Sequence, residues 1–387
     1  MRYISENLQK DLTKKMVILS GPRQSGKTTL ARHIASGTGG LYFNWDVRSD
    51  QKTIRDIAWD KSAPLVVFDE LHKYPKWKNF LKGVYDAHGG KQSILVTGSA
   101  RLDTFRKSGD ALTGRFYHYR LHPVDLPEAL RHFNDDRTLG EDECLSRLLT
   151  AGGFPESFLN PDDAERLRNN RFDVVVQEDL LDLSRVSSLR GVSLLIELLR
   201  ERVGSTLNYE NLAKDLSVSP PTARAWVELL ERLYVIFLVY PYTKNLSRSV
   251  RKESKAYFYD CASAYNGEGA RLENCVAAAL LKYLHYLEDT SGVKGRLCCF
   301  RDREKREVDF VVEVDRRVRW IIEVKTDDEA LHKNLLYLKE RISPGESLQL
   351  VKNAAGVREV EGVRIVPLAG WLGGLYDGNK RTPPPRK

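Results

Sequence analysis

The sequence predicts an α/β chain in three parts: a parallel sheet, a helical middle that ends in a β-hairpin, and a second α/β domain. Three observations carry this. Short apolar runs at residues 16–19, 41–44, 65–68 and 93–97 alternate with more polar stretches, as buried parallel strands do. Residues 192–233 hold three helical patterns, followed by two strand-like runs around a basic loop. Residues 269–325 read as one long helix and then two strands joined at Asp315-Arg316-Arg317.

The first strand, Met16-Val17-Ile18-Leu19, leads into Gly21-Pro22-Arg23-Gln24-Ser25-Gly26-Lys27-Thr28, and Thr29 continues into a helix. This is a full match to the phosphate-binding pattern Gly-x4-Gly-Lys-Ser/Thr, in the strand–loop–helix context that the pattern needs. The two glycines let backbone N–H groups surround a phosphate, and the helix N-terminus adds partial positive charge. Lys27 is then expected to reach the β- and γ-phosphates of a nucleoside triphosphate, and the Thr28 hydroxyl to ligate Mg²⁺.

After a second strand at 41–44, Ser62-Ala63-Pro64 breaks the chain before Leu65-Val66-Val67-Phe68-Asp69-Glu70. An apolar strand that delivers two carboxylates at its C-terminal end is a Walker B pattern, placed where open α/β sheets bind ligands. Asp69 is expected to hold Mg²⁺ through water, and Glu70 to orient and deprotonate an attacking water. The strand at 93–97 ends in Thr97-Gly98-Ser99, so Thr97 or Ser99 either senses the γ-phosphate or caps a turn. Arg115 precedes an alternating strand at 116–121; on spacing alone it reads as a surface arginine.

Composition bounds the rest. The chain has 387 residues, 42% hydrophobic and 29% charged, as expected for two or three globular domains. No apolar run reaches the length of a membrane span, and the N-terminus lacks the apolar core of a signal peptide. Five cysteines without metal spacing suggest reduced thiols in a cytoplasmic protein. A formal charge of +8 permits a nucleic-acid partner without requiring one.

In the middle, residues 145–149 and 162–183 read as helices, interrupted near Gly152-Gly153. Residues 192–203 carry an apolar face of Leu194, Leu195, Leu198 and Leu199. A short helix follows Asn208, and a third begins at Pro220 behind Ser219. With strands at 234–239 and 256–259, these helices make a winged helix-turn-helix. Residues 184–255 contain 12 Lys/Arg and 7 Asp/Glu, a net +5. A DNA-binding reading puts Thr222 and Arg224 at bases and Lys244, Arg248, Arg251 and Lys252 on phosphates. The alternative is a packing module.

In the last part, Glu323 and Lys325 are two apart on a strand and share a face. In an antiparallel pair with this turn, Asp309 on the preceding strand can sit near that face, so Asp309 and Glu323 could share Mg²⁺ while Lys325 orients water.

Two resemblances follow. GPRQSGKTTL, LVVFDELHKYPKW, ILVTGSA and LTGRFYHYRLHPVDLPE, in this order, resemble the archaeal and bacterial AAA-type (AAA+ superfamily) ATPase family whose C-terminal half is a domain of unknown function. The resemblance covers almost the whole chain and implies ATP as the nucleotide and an AAA-like P-loop core. It also raises Arg115 to a candidate arginine finger, acting within its subunit or on a neighbour in a homo-oligomer. Family members usually carry glutamine where this chain has His72. The last part resembles the PD-(D/E)XK nuclease, or restriction-endonuclease-like, fold; Glu273, Asp309, Glu323 and Lys325 match its acidic and basic positions, with Val308 in place of proline.

The expected organisation is an AAA-like ATPase core at 1–130, a helical linker or lid at 131–190, and a winged helix-turn-helix at 191–260. A nuclease-like domain at 261–377 and a basic proline-rich tail at 378–387 complete it. The expected function is Mg²⁺-dependent ATP hydrolysis that moves the later domains on DNA. The alternatives are a nucleotide-switched protein-interaction module and an ATP-gated DNA nuclease.

Overall fold

A computed structural model describes residues 1–88, 90–98, 112–134, 138–179, 188–243, 253–327 and 330–377. Ser99, Lys244, Arg248, Arg251, Lys252 and the tail at 378–387 lie outside the described residues. The chain forms two compact units. One is Met1–Pro123 with residues 232–234 and 289–291, and the other takes in the remaining described residues.

The first unit is a five-stranded parallel sheet with helices. Its strands are β1 (Met16–Ser20), β2 (Leu41–Asn44), β3 (Leu65–Asp69), β4 (Ser93–Thr97) and β5 (Phe116–Arg120); its helices are α1 (Ser5–Leu12), α2 (Lys27–Thr38), α3 (Arg48–Arg55) and α4 (Trp77–His88). The spatial order is β2-β3-β4-β1-β5. Every residue of β1 and β3 is buried, which explains their unbroken apolar runs. Trp59 packs edge-on to Phe68 with ring centroids 5.2 Å apart, in a core that also holds Ile18, Val66 and Val96. The strand order decides what reaches the site. β4 lies between β1 and β3, so the ends of the phosphate-loop strand and the acidic strand are both its neighbours.

The second unit begins with α5 (Leu126–His132), α6 (Glu141–Thr150), α7 (Pro155–Leu159) and α8 (Ala164–Val174). The helix expected over 162–183 is α8 followed by a π-helical turn, Val175–Asp179; residues 180–187 lie outside the described residues. α9 (Leu189–Arg200) starts behind Ser188, whose side chain accepts from Gly191 N. α10 (Tyr209–Asp215) is capped by Asn208, which accepts from Asn211 N at 2.9 Å. α11 (Pro220–Arg232) follows Ser219, whose Oγ accepts from Thr222 N. Both caps were legible because a short polar side chain satisfies a helix N–H that nothing else reaches.

An eight-stranded sheet closes this unit, in the order β12-β13-β11-β10-β9-β8-β6-β7. β6 (Ile236–Pro241) and β7 (Lys255–Phe258) pair antiparallel, as the hairpin reading expected. The far end of β6 also pairs in parallel with β8 (Gly295–Arg301) at Tyr240↔Cys298. The hairpin is therefore continuous with the C-terminal sheet, which removes one open sheet edge. α12 (Glu268–Ser291) precedes β8; then β8, β9 (Glu307–Val314) and β10 (Arg317–Lys325) run antiparallel. α13 (Lys333–Ile342) leads to β11 (Glu346–Val351), parallel to β10; β12 (Arg358–Val360), β13 (Val363–Pro367) and α14 (Leu368–Gly373) end the fold. No described helix is long and apolar enough to cross a membrane.

Candidate functional site

The phosphate loop leaves β1 under tight steric control. Gly21 has φ +143°, and a Cβ there would stand 2.3 Å from the carbonyl oxygen of Leu121. Leu121 cannot yield freely, because its N–H donates to Ser20 O at 2.8 Å. Gln24 (φ +60°) and Gly26 (φ +94°) are left-handed, the kind of turn from which phosphate-binding loops present N–H groups to an anion. Lys27 opens α2; its ammonium donates to the carbonyls of Gly21 (3.0 Å) and Pro22 (2.6 Å). Ser25 is fully buried, and its Oγ has no partner among the described residues. From the N-terminus, the buried Arg2 guanidinium donates to the carbonyls of Ser25 and His122 and braces the loop.

Asp69, at the end of β3, is 1% exposed. Three hydroxyls donate to its carboxylate: Thr28 Oγ1 at 2.7 Å, Tyr42 OH at 2.5 Å and Thr97 Oγ1. Sheet order explains all three. Thr28 comes from the helix after β1, Thr97 ends β4, and Tyr42 lies on β2, whose last residue pairs with Asp69. Burial, and then the Asp69 carboxylate, push the Tyr42 phenol well above its ordinary pKa, so it stays a donor. The Arg32 guanidinium sits 4.7 Å from the centre of the Tyr42 ring.

Glu70 has φ +54°, a left-handed backbone that is uncommon for a non-glycine residue. Burial raises its carboxyl pKa, while Lys73, with Nζ 3.8 Å away, pulls it down. His72 Nδ1 is 3.6 Å from the same carboxylate. Arg115 lies outside this group of contacts: its Nε pairs with Asp86 Oδ1 at 2.7 Å on the solvent side of α4.

In the second unit, the four residues singled out at the C-terminal end lie in one contiguous set of contacts. Asp309 Oδ2 accepts from Val324 N at 2.9 Å, and Lys325 Nζ donates to Glu323 Oε1 at 2.7 Å. Glu273, from α12, accepts from Tyr257 OH at 2.6 Å. Lys255, from β7, joins Glu273 to Asp309: its Nζ is 3.2 Å from Glu273 Oε1 and 3.9 Å from Asp309 Oδ1. Burial, then the negative charge of Asp309, push the Glu273 carboxyl up to about 7 and that of Glu323 up to about 8.

Residues 13–130 match the AAA domain family model. The first unit carries an AAA-type P-loop domain. Two domains of unknown function match the rest: DUF8612 over residues 142–269 and DUF4143 over residues 268–371. An uncharacterized protein of Mycobacterium tuberculosis is 25% identical over 249 residues, covering 63% of this chain and 54% of the relative. The chain thus spans about half the length of that relative. An uncharacterized protein of Methanocaldococcus jannaschii is 23% identical, covering 93% of this chain and 85% of its own. Among solved structures, the Thermotoga maritima RuvB Holliday junction branch migration motor is 18% identical, with a TM-score of 0.32 over 60% of this chain and 86% of its own. Aeropyrum pernix ORC1 in complex with DNA is 15% identical, with a TM-score of 0.34 over 72% of this chain and 94% of its own.

Three contributors to these sites were not foreseen. Arg2 and Tyr42 support the loop and the acidic strand of the AAA domain, and Lys255 sits among the acids of the second unit. Each acts across a separation that strand order closes, and none belongs to a local pattern. In the middle helices, Thr222 is tied to Ser219 by a 2.8 Å hydroxyl contact, and Arg224 lies 4.4 Å from the centre of the Tyr209 ring.

Proposed function

We propose that the AAA domain binds ATP with Mg²⁺ and hydrolyses it to ADP and phosphate. The observation that carries this is the hydrogen bond from Thr28 Oγ1 to Asp69 Oδ2. Two residues read from separate motifs as the metal's supports meet at one buried carboxylate. The loop also fits a phosphate: its left-handed turns are of the kind that present N–H groups to an anion, Gly21 has no room for a side chain, and the buried Ser25 hydroxyl lacks a partner among the described residues.

In this reading Gly21 through Thr29 cradle the phosphates. Lys27 exchanges its loop carbonyls for phosphate oxygens, and Thr28 and Asp69 hold the metal, which when bound offsets phosphate charge. Glu70 accepts the proton of the attacking water. A carboxyl raised by burial is suited to that task, because its proton affinity lies closer to neutral pH. Thr97, already bonded to Asp69, reports on the metal side, with Ser99 as the other sensor. Arg115 supplies positive charge to the transferred phosphoryl group, within its chain or to a neighbour in a homo-oligomer.

The second unit is the part that nucleotide state would move, with DNA as the proposed partner in the cytoplasm. The support is charge: residues 184–255 carry +5 of the chain's +8. The order of three capped helices and a strand pair supports a winged helix at 191–260. The order α12, three antiparallel strands, α13 and parallel β11 supports a nuclease-like fold at 261–377. The linker at 131–190 and the basic tail complete the proposed organisation. Phosphodiester cleavage is a second reading, favoured by the contacts among Glu273, Asp309, Glu323 and Lys325. It predicts Mg²⁺-dependent cutting that Asp309→Ala and Lys325→Ala abolish. A module that acts only through protein partners predicts no salt-sensitive DNA affinity at all.

The deciding experiment is Glu70→Gln. ATP should still bind while turnover falls by about 10²- to 10⁴-fold; unchanged turnover removes Glu70 from the mechanism. Turnover with and without DNA, across salt concentration, tests the coupling.

A further inference from the structure

Lys255 is the first residue of β7, and its side chain turns inward, 3% exposed. Three carboxylates surround its ammonium. Nζ lies 2.5 Å from Glu307 Oε1, 3.2 Å from Glu273 Oε1 and 3.9 Å from Asp309 Oδ1. An ammonium has three N–H donors and no acceptor; here it lies within hydrogen-bond distance of Glu307 and Glu273 and within ion-pair distance of Asp309. A divalent cation would want the same oxygens at about 2.0–2.6 Å. Nζ already occupies the space between them.

We propose that Lys255 is the resident cation of this cluster, standing where a divalent ion would otherwise sit among Glu273, Glu307 and Asp309. Glu323 is not part of that triad, because its Oε1 accepts instead from Lys325 Nζ at 2.7 Å. The two lysines sit nearest these four carboxylates, with Arg301 also 3.6 Å from Glu307 and the His332 ring 3.4 Å from Glu323.

The lysine is fastened from several directions. β6 pairs with it at Val239↔Lys255, and Thr206 bridges it on the other side. Leu207 N donates to Ser254 O at 2.7 Å, next door in the chain. The turn before Thr206 lies on the cluster itself: a Cβ on Gly204 would stand 2.7 Å from Glu273 Oε2. Tyr257, two residues along β7 and on the same face, adds a hydroxyl donor to Glu273.

The inference does not depend on ATP hydrolysis. It bears on cleavage directly: a metal-dependent reaction here requires Lys255 to leave first. The test uses the full chain, free of nucleotide, titrated with Mn²⁺. Wild type should show neither Mn²⁺ uptake nor a melting-temperature response to the metal that Asp309→Asn abolishes. Lys255→Met keeps the side-chain length and removes the charge. It should take up one more Mn²⁺ per chain than wild type, gain melting temperature with added metal beyond any wild-type response, and lose both gains when Asp309→Asn is added. Wild-type uptake of Mn²⁺ that Asp309→Asn abolishes would overturn the proposal. So would Lys255→Met that melts at the same temperature with and without Mn²⁺. The wild-type arm decides the matter even if Lys255→Met is too unstable to purify.

Discussion

Gly21→Ala tests whether the phosphate loop depends on its contact with the end of β5. The new Cβ would lie 2.3 Å from Leu121 O, where real Cβ atoms essentially never come within 3.0 Å. One side must therefore retreat by at least about 0.7 Å. Leu121 is held by its bond to Ser20 O, within the β1–β5 pairing, so the loop is what moves. The backbone adds its own cost: φ +143° is strained for alanine by about 1–3 kcal/mol, and crowding contributes about 1–3 kcal/mol more. Part of that falls on stability and part on the loop's N–H groups. We expect a lower melting temperature and an ATP affinity reduced about 100-fold or more, since each 1.4 kcal/mol is about tenfold. Calorimetric titration with Mg·ATP measures the second. Gly37→Ala is the control: this glycine is in α2 with nothing within 4 Å, so alanine should stabilise by about 0.5–1 kcal/mol and leave ATP binding alone. If Gly21→Ala binds ATP as wild type does, with an unchanged melting temperature, the contact with Leu121 does not shape the loop.

Two further outcomes follow from the same contacts. Tyr42→Phe removes one hydroxyl donor from the buried Asp69 carboxylate; hydrogen bonds to charged groups are worth about 1.5–3 kcal/mol, so nucleotide-free stability should drop by about 2 kcal/mol in urea denaturation. An unchanged midpoint would show that the bond contributes nothing. The second outcome is a pH dependence, in chelated buffer. Glu323 is pushed up to about 8 and Glu273 up to about 7, so the fold keeps protons that the unfolded chain has already lost. Their contribution to stability is then fully present below the ordinary carboxyl range and is lost as pH rises from about 4.5 to about 8, with an upper bound of about 8 kcal/mol in all. Glu323→Gln should flatten that decline, and an equally steep decline in the variant would refute the assignment.

What the sequence disclosed was whatever physics makes local. A buried parallel strand must be apolar throughout, and a phosphate cradle needs glycine where φ passes beyond the ordinary left-handed region, as at Gly21 (+143°) and Gly26 (+94°), while Gln24 at +60° stays within it. Met16–Ser20, Gly21, Gly26 and Leu65–Asp69 could therefore be read in place. Helix caps at Asn208 and Ser219 were legible for the same reason, since the side chain and the N–H it satisfies are three residues apart. The hidden part is set by strand order. Tyr42 reaches Asp69 because β2 lies beside β3, and Lys255 reaches Asp309 because the β6–β7 pair joins the C-terminal sheet. Neither adjacency leaves a spacing to be read. The extra pairing of β6 with β8 is hidden too, because an edge strand and an interior strand can share one apolar pattern.

The two acidic centres differ in what balances them, and that difference bears on which is ready for a metal. In the AAA domain, Asp69 is surrounded by the neutral hydroxyls of Thr28, Tyr42 and Thr97. Neutral donors stabilise the carboxylate without cancelling its charge, so an arriving cation still meets a full negative charge and needs only to turn one hydroxyl toward itself. In the second unit, the charges of Glu273, Glu307 and Asp309 are already met by a fixed ammonium. A cation arriving there must evict another cation from a buried position, and breaking a buried pair costs about 3–5 kcal/mol, which the new ligand bonds must exceed. Under the two proposals, similar carboxylate chemistry produces a centre open to metal in one unit and a centre closed to it in the other, and the identity of the balancing donor decides which.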